Sequence, residues 1–105
     1  MMEGMTSTDR VTPQQIRDAG LDWTINDKTI TATFSTGDFA TGLALVNLIG
    51  ESAETHNHHP DIELTYPTVT VTLTSHDIDD LSERDLRLAR LINDHAKQLG
   101  VKKAS

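Results

Sequence analysis

Apolar residues along this chain change their period four times, and each change marks an element. Leu21, Trp23 and Ile25 alternate with polar residues, as do Ile30, Ala32 and Phe34 with threonines. That period of two, with Asn26-Asp27 between the runs as a turn, predicts a β-hairpin. From Ser35-Thr36-Gly37-Asp38 the spacing becomes three and four: Phe39, Leu43, Val46, Ile49 and Ala53 share one face of a helix running to about residue 55. After Pro60 the alternation returns. Ile62, Leu64 and Tyr66 share one side, Pro67 marks a turn, and Val69, Val71 and Leu73 continue. Thr68, Thr70, Thr72 and Thr74 form the other side of that fourth strand. A β-branched hydroxyl row suits the open face of a sheet. At the two ends the signals are caps. Thr12-Pro13 opens a short helix ending at Gly20. Ser82-Glu83-Arg84-Asp85 resembles a capping box with Asp in place of the usual Glu or Gln. It opens a last helix through about Leu99, stopped by Gly100, with Leu88, Ala89, Ile92, Ala96 and Leu99 as its apolar stripe.

The predicted order is α-β-β-α-β-β-α. Each hairpin has one apolar face, which gives an α+β fold: a four-stranded antiparallel sheet with helices on one face. The 105 residues make one domain over residues 12–100, with residues 1–11 a disordered tail and residues 101–105 a frayed C-terminal tail. Trp23 and Phe39 are expected in the core. A domain this small buries only about 60–70% of its unfolded surface. The long helix also carries Leu43, Leu45, Val46, Leu48 and Ile49, more than one stripe needs. Self-association through a two-fold axis is therefore expected.

Charge and composition narrow the partners. The net charge of −7 argues against a nucleic-acid surface, which needs clustered Lys and Arg. No cysteine is present, which removes disulfides and thiolate metal sites and suits the cytoplasm. MMEGMTSTDR lacks the basic start and apolar stretch of a signal peptide, and no apolar run reaches membrane-spanning length.

The chemistry is concentrated in histidine. Of five histidines, three stand in His56-Asn57-His58-His59, directly before Pro60, and His76 follows the fourth strand. Imidazole gives or takes a proton near neutral pH. If strands three and four are hairpin partners, the start of one lies beside the end of the other, and His58/His59 approach His76. Single histidines near helix ends are ordinarily solvated or cap carbonyls, the reading given to His56 and His95. A metal site is not expected: adjacent histidines in an extended segment point to opposite sides, and no zinc spacing is present. Asp77, Asp79, Asp80, Glu83 and Asp85 lack calcium-loop spacing and suit a helix N-terminus. Glu54 lies one helical turn before His58, where it can orient or charge the imidazole.

Taken together, Glu54-Thr55-His56-Asn57-His58-His59-Pro60, Tyr66, Thr74-Ser75-His76 and Leu81-Ser82-Glu83-Arg84-Asp85 resemble the signature of the pterin-4a-carbinolamine dehydratases. That pattern is an acid, three residues, His-His-Pro, an aromatic, a further His and an Asp. The resemblance covers about residues 12–100. It departs at Asp80, where a glycine commonly precedes Leu-Ser, and at Ile62, where some members carry an aromatic. It implies the same α+β fold and dehydration of 4a-hydroxytetrahydrobiopterin to the quinonoid dihydropterin, with no cofactor and no metal. It also implies that His58 and His76 act as acids on the two faces of C4a and that Glu54 assists. His59 would chiefly bind the pterin, with Pro60, Asp61 and Ser75 as further substrate contacts. Relatives of this fold also act as non-catalytic dimerisation or assembly partners, which is the competing reading.

Overall fold

The computed structural model describes residues 9–104. The elements run α1 (Pro13–Asp18), β1 (Thr24–Asn26), β2 (Thr29–Ser35), α2 (Phe39–His56), β3 (Asp61–Leu64), β4 (Thr68–Leu73), α3 (Glu83–Gln98) and β5 (Lys102–Lys103). The expected α+β order is present, with one strand more than the alternation announced. All pairings are antiparallel, in the order β1-β2-β4-β3. The second strand of each hairpin is thus central, and β3 is an outer strand.

The strand pattern sets the two faces. Ile30, Ala32 and Phe34 of β2 and Val69, Val71 and Leu73 of β4 are buried beneath the helices. Full burial of the Ile, Phe, Val and Leu side chains among them is worth about 1.5–3 kcal/mol each. On the opposite face the threonines meet in register: Thr31 with Thr72 at 3.3 Å and Thr33 with Thr70 at 3.1 Å between hydroxyl oxygens. Cross-strand hydroxyl pairs of this kind contribute roughly 0.2–1 kcal/mol.

Helix α2 sits differently from its expected stripe. Its buried residues are Gly42, Leu45, Ile49 and Ala53, whereas Phe39 and Leu43 are about half exposed and Val46 is partly covered. Gly42 explains the rotation. A Cβ at that position would lie 2.7 Å from Leu64 Cδ1, so the helix backbone rests directly on the β3–β4 hairpin. Phe39 is therefore not core, while Trp23 is: it is buried, meets Phe34 edge-on at 6.2 Å, and donates its indole N–H to Asn93 at 2.9 Å. Tyr66 lies past the end of β3 and is exposed, so it does not continue the Ile62–Leu64 side.

Both chain ends contribute more than tails. Residues 9–11, expected to be disordered, are held against the approach to α3: Val11 is buried, its N–H donates to the Leu81 carbonyl, and Glu83 N–H donates to the Asp9 carbonyl. The rest of that expectation falls on residues 1–8, outside the described residues. At the other end β5 pairs with β2, Phe34 opposite Lys103. Lys103 donates to the Leu21 carbonyl at 2.8 Å, and burial holds its ammonium below the usual 10.5. The same ammonium lies 5.9 Å from the centre of the Phe34 ring, a contact that the sequence alternation did not reveal. Among the described residues, no helix is long and apolar enough to cross a membrane.

Candidate active site

The C-terminus of α2 places the first two histidines. Asn57 adopts a left-handed conformation (φ 51°), tolerated by its short polar side chain. Asn57 N–H then donates to Glu54 and His58 N–H to Ala53, the paired bonds of a Schellman cap. This reversal sends His58 inward, where it is buried, and leaves His59 outside and half exposed. Pro60 follows and prevents the helix from resuming. The third histidine comes from the far end of β4. Because Asp61 pairs with Thr72, the residues just before β3 lie beside those just after β4. His58, His59 and His76 consequently line one cavity of about 290 Å³, together with Asn57, Thr74, Asp77 and Arg84.

Behind this cavity lies a buried polar cluster. His58 Nε2 is 2.6 Å from Asp85 Oδ1, and both side chains are almost wholly enclosed. Asp85 also accepts the Ser82 N–H and the Ser75 hydroxyl, both at 2.9 Å on Oδ2. Ser75 and Ser82 hydroxyls are 2.6 Å apart. The Ser75 hydroxyl and the Ser82 N–H both donate to Asp85, which marks its carboxylate as an acceptor, and we therefore assign the hydrogen of the 2.6 Å contact to His58 Nε2. His58 Nδ1 is then the nitrogen free to exchange a proton. The residue type at this position was the signal in the sequence. As the third residue of α3, Asp85 completes the capping box that Ser82 opens. An Asp there is shorter than the usual Glu, which suits a carboxylate held tightly between helix and histidine.

Glu54 has a different partner from the one expected. Its Oε2 lies 2.7 Å from His59 Nε2, with both side chains largely in solvent. The reversal at Asn57 turns His58 away from the exposed face of α2, and the next residue comes back to it. Of the other expected contacts, Pro60 borders an adjoining groove with Glu54 and His59. Asp61 is exposed on β3. Ser75 faces the buried cluster, and its N–H is taken by the Asp80 carbonyl. His56 is exposed, in keeping with its bland reading; His95 instead meets Ser52 of α2 at 2.7 Å and ties the two long helices together.

Arg84 was not singled out by sequence reasoning, since a helix-start arginine looks like a surface residue. It lines the histidine cavity while its guanidinium bridges Asp9 at 2.8 Å and Asp77 at 3.0 Å. The Arg84 hydrogen bond holds the Asp77 carboxyl below its usual 3.8. At the departure from the resembled pattern, Asp79 supplies the left-handed turn (φ 52°) and Asp80 is tied down by Arg10 at 3.0 Å. No group of three or more His, Cys, Asp or Glu side chains arranged to hold a metal ion occurs among the described residues. A buried imidazole backed by a carboxylate, beside two more imidazoles, can pass protons to and from a small polar ligand.

The family model described as Pterin 4 alpha carbinolamine dehydratase matches residues 7–95. A Nocardia farcinica protein to which pterin-4-alpha-carbinolamine dehydratase activity is provisionally assigned is 41% identical over 76 residues, 72% of this chain and 80% of that one. A Herpetosiphon aurantiacus protein with the same provisional name is 36% identical over 80 residues, 76% of this chain and 83% of that one. The crystal structure of a transcriptional coactivator/pterin dehydratase from Brucella melitensis superposes with a TM-score of 0.78 at 31% identity, covering 84% of this chain and 99% of that one. A pterin dehydratase-like RuBisCO assembly factor of the alpha-carboxysome shares the fold, with a TM-score of 0.59 at 19% identity over 70% of this chain and 86% of that one.

Proposed function

The chain belongs to the pterin 4 alpha carbinolamine dehydratase family, and on that premise we propose that it is a hydro-lyase that dehydrates 4a-hydroxytetrahydrobiopterin, or a close relative, to the quinonoid dihydropterin in tetrahydrobiopterin recycling. The observation that carries this reading is the convergence of His58, His59 and His76 on one cavity, with His58 backed by buried Asp85. In the reaction the C4a–O bond breaks, a proton joins the departing hydroxide to form water, N5 gives its proton to a nearby base or water, and a C4a=N5 double bond forms. Hydroxide is a poor leaving group, so an acid must protonate it as the bond breaks. We assign to His58, through Nδ1, and to His76 the roles of acids on the two faces of C4a; their shared cavity supports that reading. Such assistance contributes about 10²–10⁴-fold. His59, oriented by Glu54, and Pro60 and Asp61 border the ring, while Ser75 acts on the site through Asp85. The chemistry calls for no metal, nucleotide or covalent intermediate. We further propose that the protein works in the cytoplasm as a homodimer or homotetramer, in which exposed Phe39 and Leu43 find cover.

A second reading, a non-catalytic binding module, is favoured by those same exposed side chains and by the assembly role named for one protein of this fold. A dehydratase assay separates the two. The wild-type chain should accelerate loss of the 4a-hydroxyl, and the His58→Ala, His76→Ala double variant should lose that acceleration while remaining folded. Wild type and double variant both at the uncatalysed rate would remove the enzymatic reading.

A further inference from the structure

Helix α2 contains two interior glycines with different surroundings. Gly42 is accounted for within the chain, because a Cβ there would press on Leu64. At Gly50 a Cβ would meet nothing within 4 Å. Glycine is an unfavourable helix residue relative to alanine, and no internal contact at Gly50 requires it. Gly50 instead floors an open groove of about 830 Å³ between α2 and β3, whose walls include Asn47, Glu51, Glu54, His59 and Ile62. His59 belongs to this groove and to the smaller histidine cavity, so the two spaces meet at its imidazole.

From this geometry, and resting on the proposed dehydratase activity, we propose that the Gly50 groove receives the C6 substituent of the tetrahydropterin and selects substituents that are not anionic. C4a, N5 and C6 are consecutive ring atoms. A pterin whose C4a–N5 edge faces the histidines therefore projects its substituent from the reacting edge, and the groove opens beside His59, where that substituent leaves. The smaller cavity suits a flat bicycle, while the groove supplies room for a flexible chain. Its floor is apolar or bare backbone, with Val46, Ala53 and Ile62 flanking Gly50, and its rim offers the Asn47 amide and the Glu51 and Glu54 carboxylates. Among the described residues, no lysine or arginine lines it. Carboxylates on the rim repel an anionic chain such as one ending in glutamate, and they accept hydrogen bonds from a polyol.

The test uses the full chain with 4a-hydroxytetrahydropterins generated in situ, bearing a 6-methyl group, a 6-dihydroxypropyl chain or a glutamate-terminated C6 chain. Wild type should favour the dihydroxypropyl substrate over the glutamate-terminated one in kcat/KM. Gly50→Leu fills open space and removes a helix glycine, so folding is preserved. It should raise KM for the dihydroxypropyl substrate about tenfold more than for the 6-methyl one, the scale of a small change in a fitted pocket. Glu51→Lys should narrow the discrimination against the glutamate-terminated chain by a similar factor. Turnover with equal KM changes for all three substrates overturns the proposal and leaves the dehydratase reading standing. Loss of self-association in Gly50→Leu, seen by sedimentation with substrate preference unchanged, overturns it too, by assigning the groove to a second copy of the chain. Absence of turnover by wild type on every substrate removes the proposal together with the function it rests on.

Discussion

Two histidine–carboxylate pairs stand one residue apart in this chain, with nearly equal lengths and opposite surroundings. His58 and Asp85 meet at 2.6 Å and are almost wholly enclosed; His59 and Glu54 meet at 2.7 Å with most of both side chains in water. Length therefore says little about what each pair does. In the buried pair water cannot compete, and the carboxylate has two further donors that fix its orientation. The tautomer and ring position of His58 are thereby set before any ligand arrives, which is the condition for efficient proton transfer. In the exposed pair water competes for both groups, and the contact is worth at most about 1 kcal/mol. One imidazole is held rigidly and its neighbour is free to adjust to a ligand.

Breaking the buried pair should have the largest effect. Asp85→Ala leaves the His58 N–H and the Ser75 and Ser82 donors without their acceptor, and loss of one partner from a buried pair costs about 3–5 kcal/mol. Urea denaturation should show that loss. Asp85→Asn separates rigidity from shape. It retains the volume but replaces an acceptor oxygen with an amide, disturbing the tautomer. The variant should remain folded and lose much of the 10²–10⁴-fold that a general acid supplies, through kcat more than KM. Near-wild-type kcat in folded Asp85→Asn would show that His58 does not depend on its buried partner.

The exposed pair should respond weakly. Glu54→Gln keeps a hydrogen-bonding group near His59, so the urea midpoint should scarcely move, with less than about 1 kcal/mol lost. The variant loses the charge-assisted contact that orients His59, so KM should rise by less than about tenfold while kcat scarcely moves. A loss in kcat as large as that of Asp85→Asn would reverse the ranking of the two pairs. An unchanged KM in a folded variant would return Glu54 to an ordinary surface acid.

The same contrast governs what the sequence made legible. The element order and the adjacency of His58, His59 and His76 followed from periodicity and one hairpin, because strand pairing constrains distant residues through local pattern alone. The seating of α2 did not. Ile49 and Ala53 are buried as the stripe predicts, but Phe39, Leu43 and Val46 extend it towards the helix start as well as Gly42 and Leu45 do, and only the close approach over Leu64 at Gly42 chooses between them. Partner choice at the site was equally hidden. Glu54 is a helical turn from His58 in the chain, but the left-handed Asn57 turns His58 inward toward Asp85, 27 residues away. The cap residues were visible from sequence, while the second role of Asp85 as partner of His58 depended on how α3 packs against the hairpin. The short strand at Lys102–Lys103 was missed because two residues carry no period.

The smallest effect is expected at the rim, where Asp77 and Arg84 line the histidine cavity from the solvent side. Arg84 holds the Asp77 carboxyl below its usual 3.8. A carboxyl with a lowered folded-state value stabilises the protein above its unfolded value, and that contribution disappears as pH falls through the lowered one. Asp77→Asn should therefore be slightly less stable than wild type at neutral pH. The difference should shrink as the pH drops below 3.8 and the carboxyl protonates, and it should shrink with added salt, since the pair is open to solvent. Urea midpoints of the two proteins at neutral and acidic pH, at low and high salt, measure this directly. A difference independent of pH would mean that Asp77 acts through the shape of the loop after His76, and its charge would then have no part in holding Arg84 at the cavity wall.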